Sequence, residues 1–238
     1  MRTTEPALIL HVRPYRETSA IVQCLTPSQG RLAGVMRGAR PKSTKQTRGV
    51  KVQPFYFGEV TYFGNTNLAT VSGFESIHFF QLQGVTLYSG FYLLELLTRL
   101  VPEREAEEGL FRDTLAALQQ LEAGAEVEIC LRRFELQLLE HLGYGVNFEF
   151  DAQSGELIDP GAHYGFVPAL GFLENSVSAG SAGPPVTTYA GATILAIAAR
   201  DFADPTVRKA AKLLLRESLA EVLGPKPLTS RALFKDTT

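Results

Sequence analysis

A change of hydrophobic period near residue 80 limits the fold more than any other feature of the chain. Before it lie five short apolar runs, "ALILHVRP", "TSAIVQCLT", "GRLAGVMR", "VQPFYFGEVTYFG" and "NLATVSGF". They are rich in Ile, Val, Leu and Thr and are separated by turn residues, with Pro27 and Gly30 suited to a hairpin between the second and third. One long connection follows the third run. Five strands with that spacing are the inventory of a small Greek-key barrel such as an OB-fold.

After the change the spacing becomes helical. Leu87, Phe91, Leu94 and Leu97 fall on one face, ending before Pro102. Leu110, Phe111, Leu115, Leu118 and Leu121 repeat the pattern up to Gly124, and Leu131, Phe134, Leu138 and Leu142 up to Gly143. A last helix is marked by Asp204 as N-cap, Pro205 at its first position and Gly224 as its stop. The Gly- and Pro-rich section 148–185 reads as loops and a small β-piece. The expected class is therefore α+β: a barrel over 1–80, then a mostly helical domain over 81–238 with an irregular lobe near 148–185.

Charge divides along the same line. Residues 1–80 carry ten Lys/Arg against four acids, and residues 81–238 carry thirteen against twenty-one. The formal net charge is only −2, so the split implies two domains with different partners. Between Glu17 and Glu59, 41 consecutive residues hold no acid, yet they include Arg31, Arg37, Arg40, Lys42, Lys45, Arg48 and Lys51. Pro41, Gly49 and the Ser/Thr content make the stretch after the third strand a loop. It is either a solvated surface loop or a polyanion contact; beside a barrel, the second reading gains weight, because such a loop lets single-stranded nucleic acid track across the barrel face. Phe55, Tyr56, Phe57, Tyr62, Phe63 and Tyr15 are either base-stacking rings or core.

Two further features stay open on spacing alone. Arg208, Lys212 and Arg216 recur every four residues on the last helix, as a second nucleic-acid contact or an ordinary exposed stripe. Arg132 and Arg133 interrupt an apolar run, either as the cationic rim of a groove for an acidic, apolar peptide terminus or as partners of Glu128 or Glu135.

No catalytic or cofactor signature occurs. The phosphate-loop spacing is wrong around "GARPKS", and G-x-S-x-G, H-E-x-x-H and G-x-G-x-x-G are missing. His11, His78, His141 and His163 have no metal-ligand spacing, and Cys24 and Cys130 form no CxxC, so neither a cofactor nor a metal is expected. Two separated cysteines, no secretory pattern and no apolar run of roughly 20 residues imply a cytoplasmic protein without a membrane contact.

The segments "RPYRETSAIVQCLTPSQGRLAGVMRGARPKS", "LRRFELQLLEHLGYGVNF" and "KPLTSRALF" resemble, in that order, the bacterial DNA repair and recombination family RecO. The resemblance implies an OB-fold followed by a helical domain and a non-enzymatic, nucleoid-associated recombination mediator. Such a protein binds single- and double-stranded DNA, anneals strands, pairs with RecR and, in the RecF pathway, helps RecA load on DNA coated by single-stranded DNA-binding protein (SSB). By position, Arg37, Arg40, Lys42 and Lys45 would contact DNA, and Arg132 would grip the acidic SSB tail. Many relatives carry a four-cysteine zinc knuckle after the "LGY" helix, whereas "FEFDAQSGELIDPGAHYGF" has no cysteine, so packing alone must hold that lobe. The rival readings are an RNA-binding module of translation or ribosome assembly and an enzyme with a scattered site.

Overall fold

A computed structural model describes residues 2–39, 52–64, 68–174 and 187–234. The first strands are β1 (Arg2–Tyr15), β2 (Ser19–Thr26), β3 (Gly30–Met36), β4 (Tyr56–Phe63) and β5 (Ala69–Phe79). They close into a barrel in the order β1-β2-β3-β5-β4, antiparallel except for the parallel β3–β5 pair. This is the OB-fold arrangement, and the chain is α+β. Closure depends on β1 serving two neighbours: residues 2–8 pair with β4 and residues 8–15 with β2, through an irregularity between Ile9 and His11. The barrel leaves no open edge. Alternate residues fill it, among them Ile9, Val22, Cys24, Leu32, Met36, Val60, Tyr62 and Val71. At Gly58, beside a register shift in β4, a Cβ would sit 2.0 Å from the Glu75 carbonyl, so a side chain there would force β4 and β5 apart.

The chain forms two compact units, 1–127 with 227–238, and 128–226. The domain boundary expected at residue 80 follows the change of period. In the structure α1 (Gly84–Leu100), α2 (Glu108–Glu122) and the short α6 (Ser230–Leu233) belong to the unit that contains the barrel. The buried face of α1 is centred on Leu93, Leu96 and Leu97, while Phe91, expected inside, is 37% exposed and stacks edge-on against Phe55. Apart from Glu95 and Arg99 this helix is largely uncharged, so periodicity alone does not choose a face.

The second unit contains α3 (Val127–His141), α4 (Gly191–Ala198), α5 (Pro205–Leu223) and a sheet ordered β7-β6-β8 (Gly171–Glu174, His163–Val167, Thr188–Ala190). Asp204 accepts from the Thr206 N–H at 2.7 Å and Gly224 ends α5 at φ 68°, as expected from the caps. The core of the sheet is aromatic: Phe172, fully buried, meets the rings of Phe148, Phe166 and Tyr189.

Candidate nucleic-acid interface

The register of the barrel sets cations that lie far apart in sequence on one outer row. Arg13 pairs with Ile21, Ile21 with Val35, Val35 with Thr70, Thr70 with Phe63 and Phe63 with Arg2. One lateral row thus runs round all five strands and returns to β1 eleven residues earlier (13 − 2 = 11), as the stagger of a closed barrel requires. Arg13, Arg2 and Phe63 are exposed on this row. None of the row residues belongs to the cluster that fills the barrel, so the row marks its outer surface.

Arg37 is exposed just beyond β3, two residues after Val35 and so of the same alternation. The next rung, Pro14–Ala20–Met36, sets the β1–β2 turn beside the end of β3. That turn holds Arg16, exposed at φ 54°, with its guanidinium carbon 5.2 Å from the centre of the half-buried Tyr15 ring. Arg13, Arg16 and Arg37 therefore lie toward the end of β3, where the acid-free connection starts, whereas Arg2 lies at the far end of the row beside Phe63. Arg2, Arg13 and Arg16 are not in the basic run that sequence reading singles out. Their signal is the strand register, which spacing along the chain does not carry. Arg40, Lys42, Lys45, Arg48 and Lys51 lie outside the described residues.

The aromatic candidates separate. Tyr62 is buried in the barrel, where its hydroxyl donates to Glu5 at 2.7 Å; burial, and then that bond, push its pKa up to about 12. Phe55 is buried and Tyr56 packs against the barrel core. Phe57 lies 6.4 Å from Phe111 of α2, ring to ring. Phe63 is 45% exposed, on the outer row.

Other expected contacts are occupied within the protein. Arg31 faces the α1–α2 connection: its Nε donates to the Val101 carbonyl at 3.0 Å and an Nη pairs with Glu103 at 2.8 Å. Arg208 donates to the carbonyls of Phe202 and Ala203 at 2.7 and 2.9 Å, whereas Lys212 and Arg216 on the same stripe are exposed. Arg132 is buried and donates to Glu135 at 2.8 Å, one of the two intrahelical pairings left open above, and the adjacent Arg133 is exposed.

This surface offers charge and stacking, and nothing on it is arranged as a nucleophile with a base. Burial pushes the Cys24 thiol up to about 12 and the Cys130 thiol up to about 11, so both stay protonated at neutral pH. Among the described residues no group of three or more His, Cys, Asp or Glu could hold a metal ion, and no helix is long and apolar enough to cross a membrane.

Comparison with known proteins covers nearly the whole chain. Residues 1–80 match the family model described as recombination protein O N terminal, and residues 81–232 match recombination protein O C terminal. The chain is 42% identical over 229 residues to the DNA repair protein RecO of Psychromonas ingrahamii, covering 96% of each chain. It is 43% identical over 234 residues to the DNA repair protein RecO of Cellvibrio japonicus, covering 97% of this chain and 95% of the relative. The protein of the same description from Stutzerimonas stutzeri is 42% identical over 233 residues, 97% of this chain and 92% of the relative. The RNA-binding alternative gains no support from these relatives.

Proposed function

The chain belongs to the RecO family of DNA repair proteins, and from that premise we propose that it is a non-enzymatic recombination mediator acting on DNA in the cytoplasm, at the nucleoid. It grips the sugar-phosphate backbone of single and double strands without reading bases, as a protein that must act on any sequence requires. Two strands held on one cationic surface are screened from one another, and complementary strands can then pair. The same chain pairs with RecR, takes up the acidic SSB tail at the exposed Arg133, beside the buried Arg132–Glu135 pair, and so helps RecA load in the RecF pathway.

One observation carries this reading: Arg2, Arg13, Arg16, Arg37 and Phe63 are all exposed on the outer barrel surface, with Arg13, Arg16 and Arg37 toward the point where the acid-free connection departs. Phosphate contacts would come from Arg37, Arg40, Lys42, Lys45, Arg48 and Lys51, with Lys212 and Arg216 as a second patch. Arg31 and Arg208, occupied within the protein, are left out of this set.

Titration of a fluorescent single strand at several salt concentrations tests it. The triple variant Arg37→Glu, Arg40→Glu, Lys42→Glu is expected to bind much more weakly and to lose about 2 from the log–log salt slope, at about 0.7 per phosphate. Unchanged affinity in the folded triple variant would remove this surface from the mechanism.

A further inference from the structure

A cleft of about 460 Å³ opens within the second unit, between α3, the segment 145–149 and the end of α4. That volume suits a bound side chain or small ligand. Leu136, Val146, Phe148 and Ile197 form its apolar wall, and Glu140, Glu149 and Arg200 supply its charge.

Local geometry sets each charged group in place. After α3, Gly143 turns left-handed at φ 78° and the Tyr144 N–H donates to the Leu139 carbonyl at 2.8 Å, leading the chain back along the helix. The Asn147 side-chain oxygen accepts from the N–H groups of Glu149 and Phe150, at 2.9 and 3.2 Å, which holds Glu149 at the rim. Arg200 ends α4 at φ 57°, a position that favours glycine. From there an Nη donates to both Glu140 oxygens, at 2.8 and 2.6 Å.

The cleft thus carries two carboxylates and one guanidinium, which pairs with Glu140. Glu149 has no ion-pair partner among the described residues. The surrounding chain adds no counterion either: residues 134–199, 66 in succession, contain seven acids and no Lys or Arg. The cleft has an apolar wall beside polar ones and carries one more acid than cation, which disfavours a nucleic acid or an acidic peptide.

We propose that this cleft is a docking site for a basic segment of a partner protein. An Arg or Lys of that segment lays its aliphatic stem along Leu136, Val146 and Ile197. Its cation then reaches Glu149 and the lone pairs of Glu140 that Arg200 leaves unused. The site is opposite in sign to the Arg133 surface proposed for the SSB tail, so the second unit can hold a basic and an acidic partner segment separately.

The test uses the full chain and a fluorescein-labelled octapeptide alternating Lys or Arg with Leu or Phe, followed by anisotropy. The charge-reversed peptide, with Glu at every basic position, is the control. Saturable binding of the basic peptide is expected. Glu149→Lys should weaken it about tenfold. Arg200→Gly should strengthen it about threefold, because it removes the competing cation while relieving the left-handed backbone. Far-UV circular dichroism shows whether both variants fold, and their opposite signs separate a local effect from a general loss. No saturable binding, binding indifferent to Glu149→Lys, weakening by Arg200→Gly, or tighter binding of the acidic peptide would each overturn the proposal.

Discussion

Arg132 and Asp151 are both buried charged residues, and each is stabilised by a different kind of partner. Arg132 depends on one carboxylate, that of Glu135, and its Nε has no hydrogen-bond partner among the described residues. Truncation to Arg132→Ala takes the guanidinium away from a carboxylate that is only 2% exposed, so a loss of about 3 kcal/mol is expected. The joint change Arg132→Met with Glu135→Leu should recover most of that loss, as read from urea midpoints. Arg133→Ala, on the surface, should leave stability within about 0.5 kcal/mol while lowering capture of an SSB-tail peptide more than it lowers DNA binding. Equal losses in the two binding assays would count against a dedicated tail site. Asp151 instead accepts from the backbone N–H groups of Gln153, Ser154 and Glu174. Burial works against its charge, but these donors outweigh burial and hold the carboxyl below its ordinary range. A lowered folded-state pKa contributes stability that is fully present above the unfolded value of about 3.9 and is lost as pH falls toward the folded one. Asp151→Asn should therefore be less stable than the parent at pH 7, with the gap narrowing as pH falls below about 3.9. A gap independent of pH would show that shape, not charge, matters at this position.

At the level of elements, Asp151 ties the hairpin after α3 to β7 by accepting from the Glu174 N–H. Glu95 of α1 performs a similar task for α6. Its two oxygens accept from the N–H and hydroxyl groups of Thr229 and Ser230, at 2.5 to 2.8 Å. Leu228 is buried beside this contact, and Phe234 meets Tyr88 ring to ring. Glu95→Ala should release this tail: amide exchange over 228–234 rises sharply and stability falls by about 1–3 kcal/mol. Unchanged exchange would mean that Leu228 and Phe234 hold the tail unaided. These contacts also show why some elements can be read in the sequence and others cannot. The signals for α5, Asp204, Pro205 and Gly224, are local and act locally, so both ends of the helix are legible. By contrast α6 is four residues long and is held by a carboxylate 134 positions upstream. No local pattern announces it. In α4, Gly191–Ala198 is apolar or small throughout except for Thr193, which leaves no polar face to mark a helical period. The five strands are legible because turn residues punctuate them, but which face of each points outward depends on register. The acid-free run is visible in the sequence; its association with Arg2, Arg13 and Phe63 is not.

For the whole molecule, the charge split sets how DNA can be held. The barrel-containing unit supplies the exposed arginines of the outer barrel surface, and the second unit, with more acids than bases, still exposes Lys212 and Arg216 on α5. If both patches neutralise phosphates of the same bound strand, each cation removed should lower the salt slope by about 0.7, whichever unit carries it. Lys212→Glu with Arg216→Glu should then take about 1.4 from the slope, and the triple reversal in the first unit about 2. All five changes together should take about 3.5, because contacts so separated in the chain and sharing no partner add. The same titrations with a short oligonucleotide sharpen the result: a strand too short to span both patches should respond to the triple reversal and ignore the double one. A double variant with an unchanged slope on long strands would confine DNA to the barrel and leave the α5 stripe as an ordinary solvated face. A slope lost entirely in either variant alone would mean that the two patches act as one cooperative surface, which separate phosphate contacts on two units do not predict.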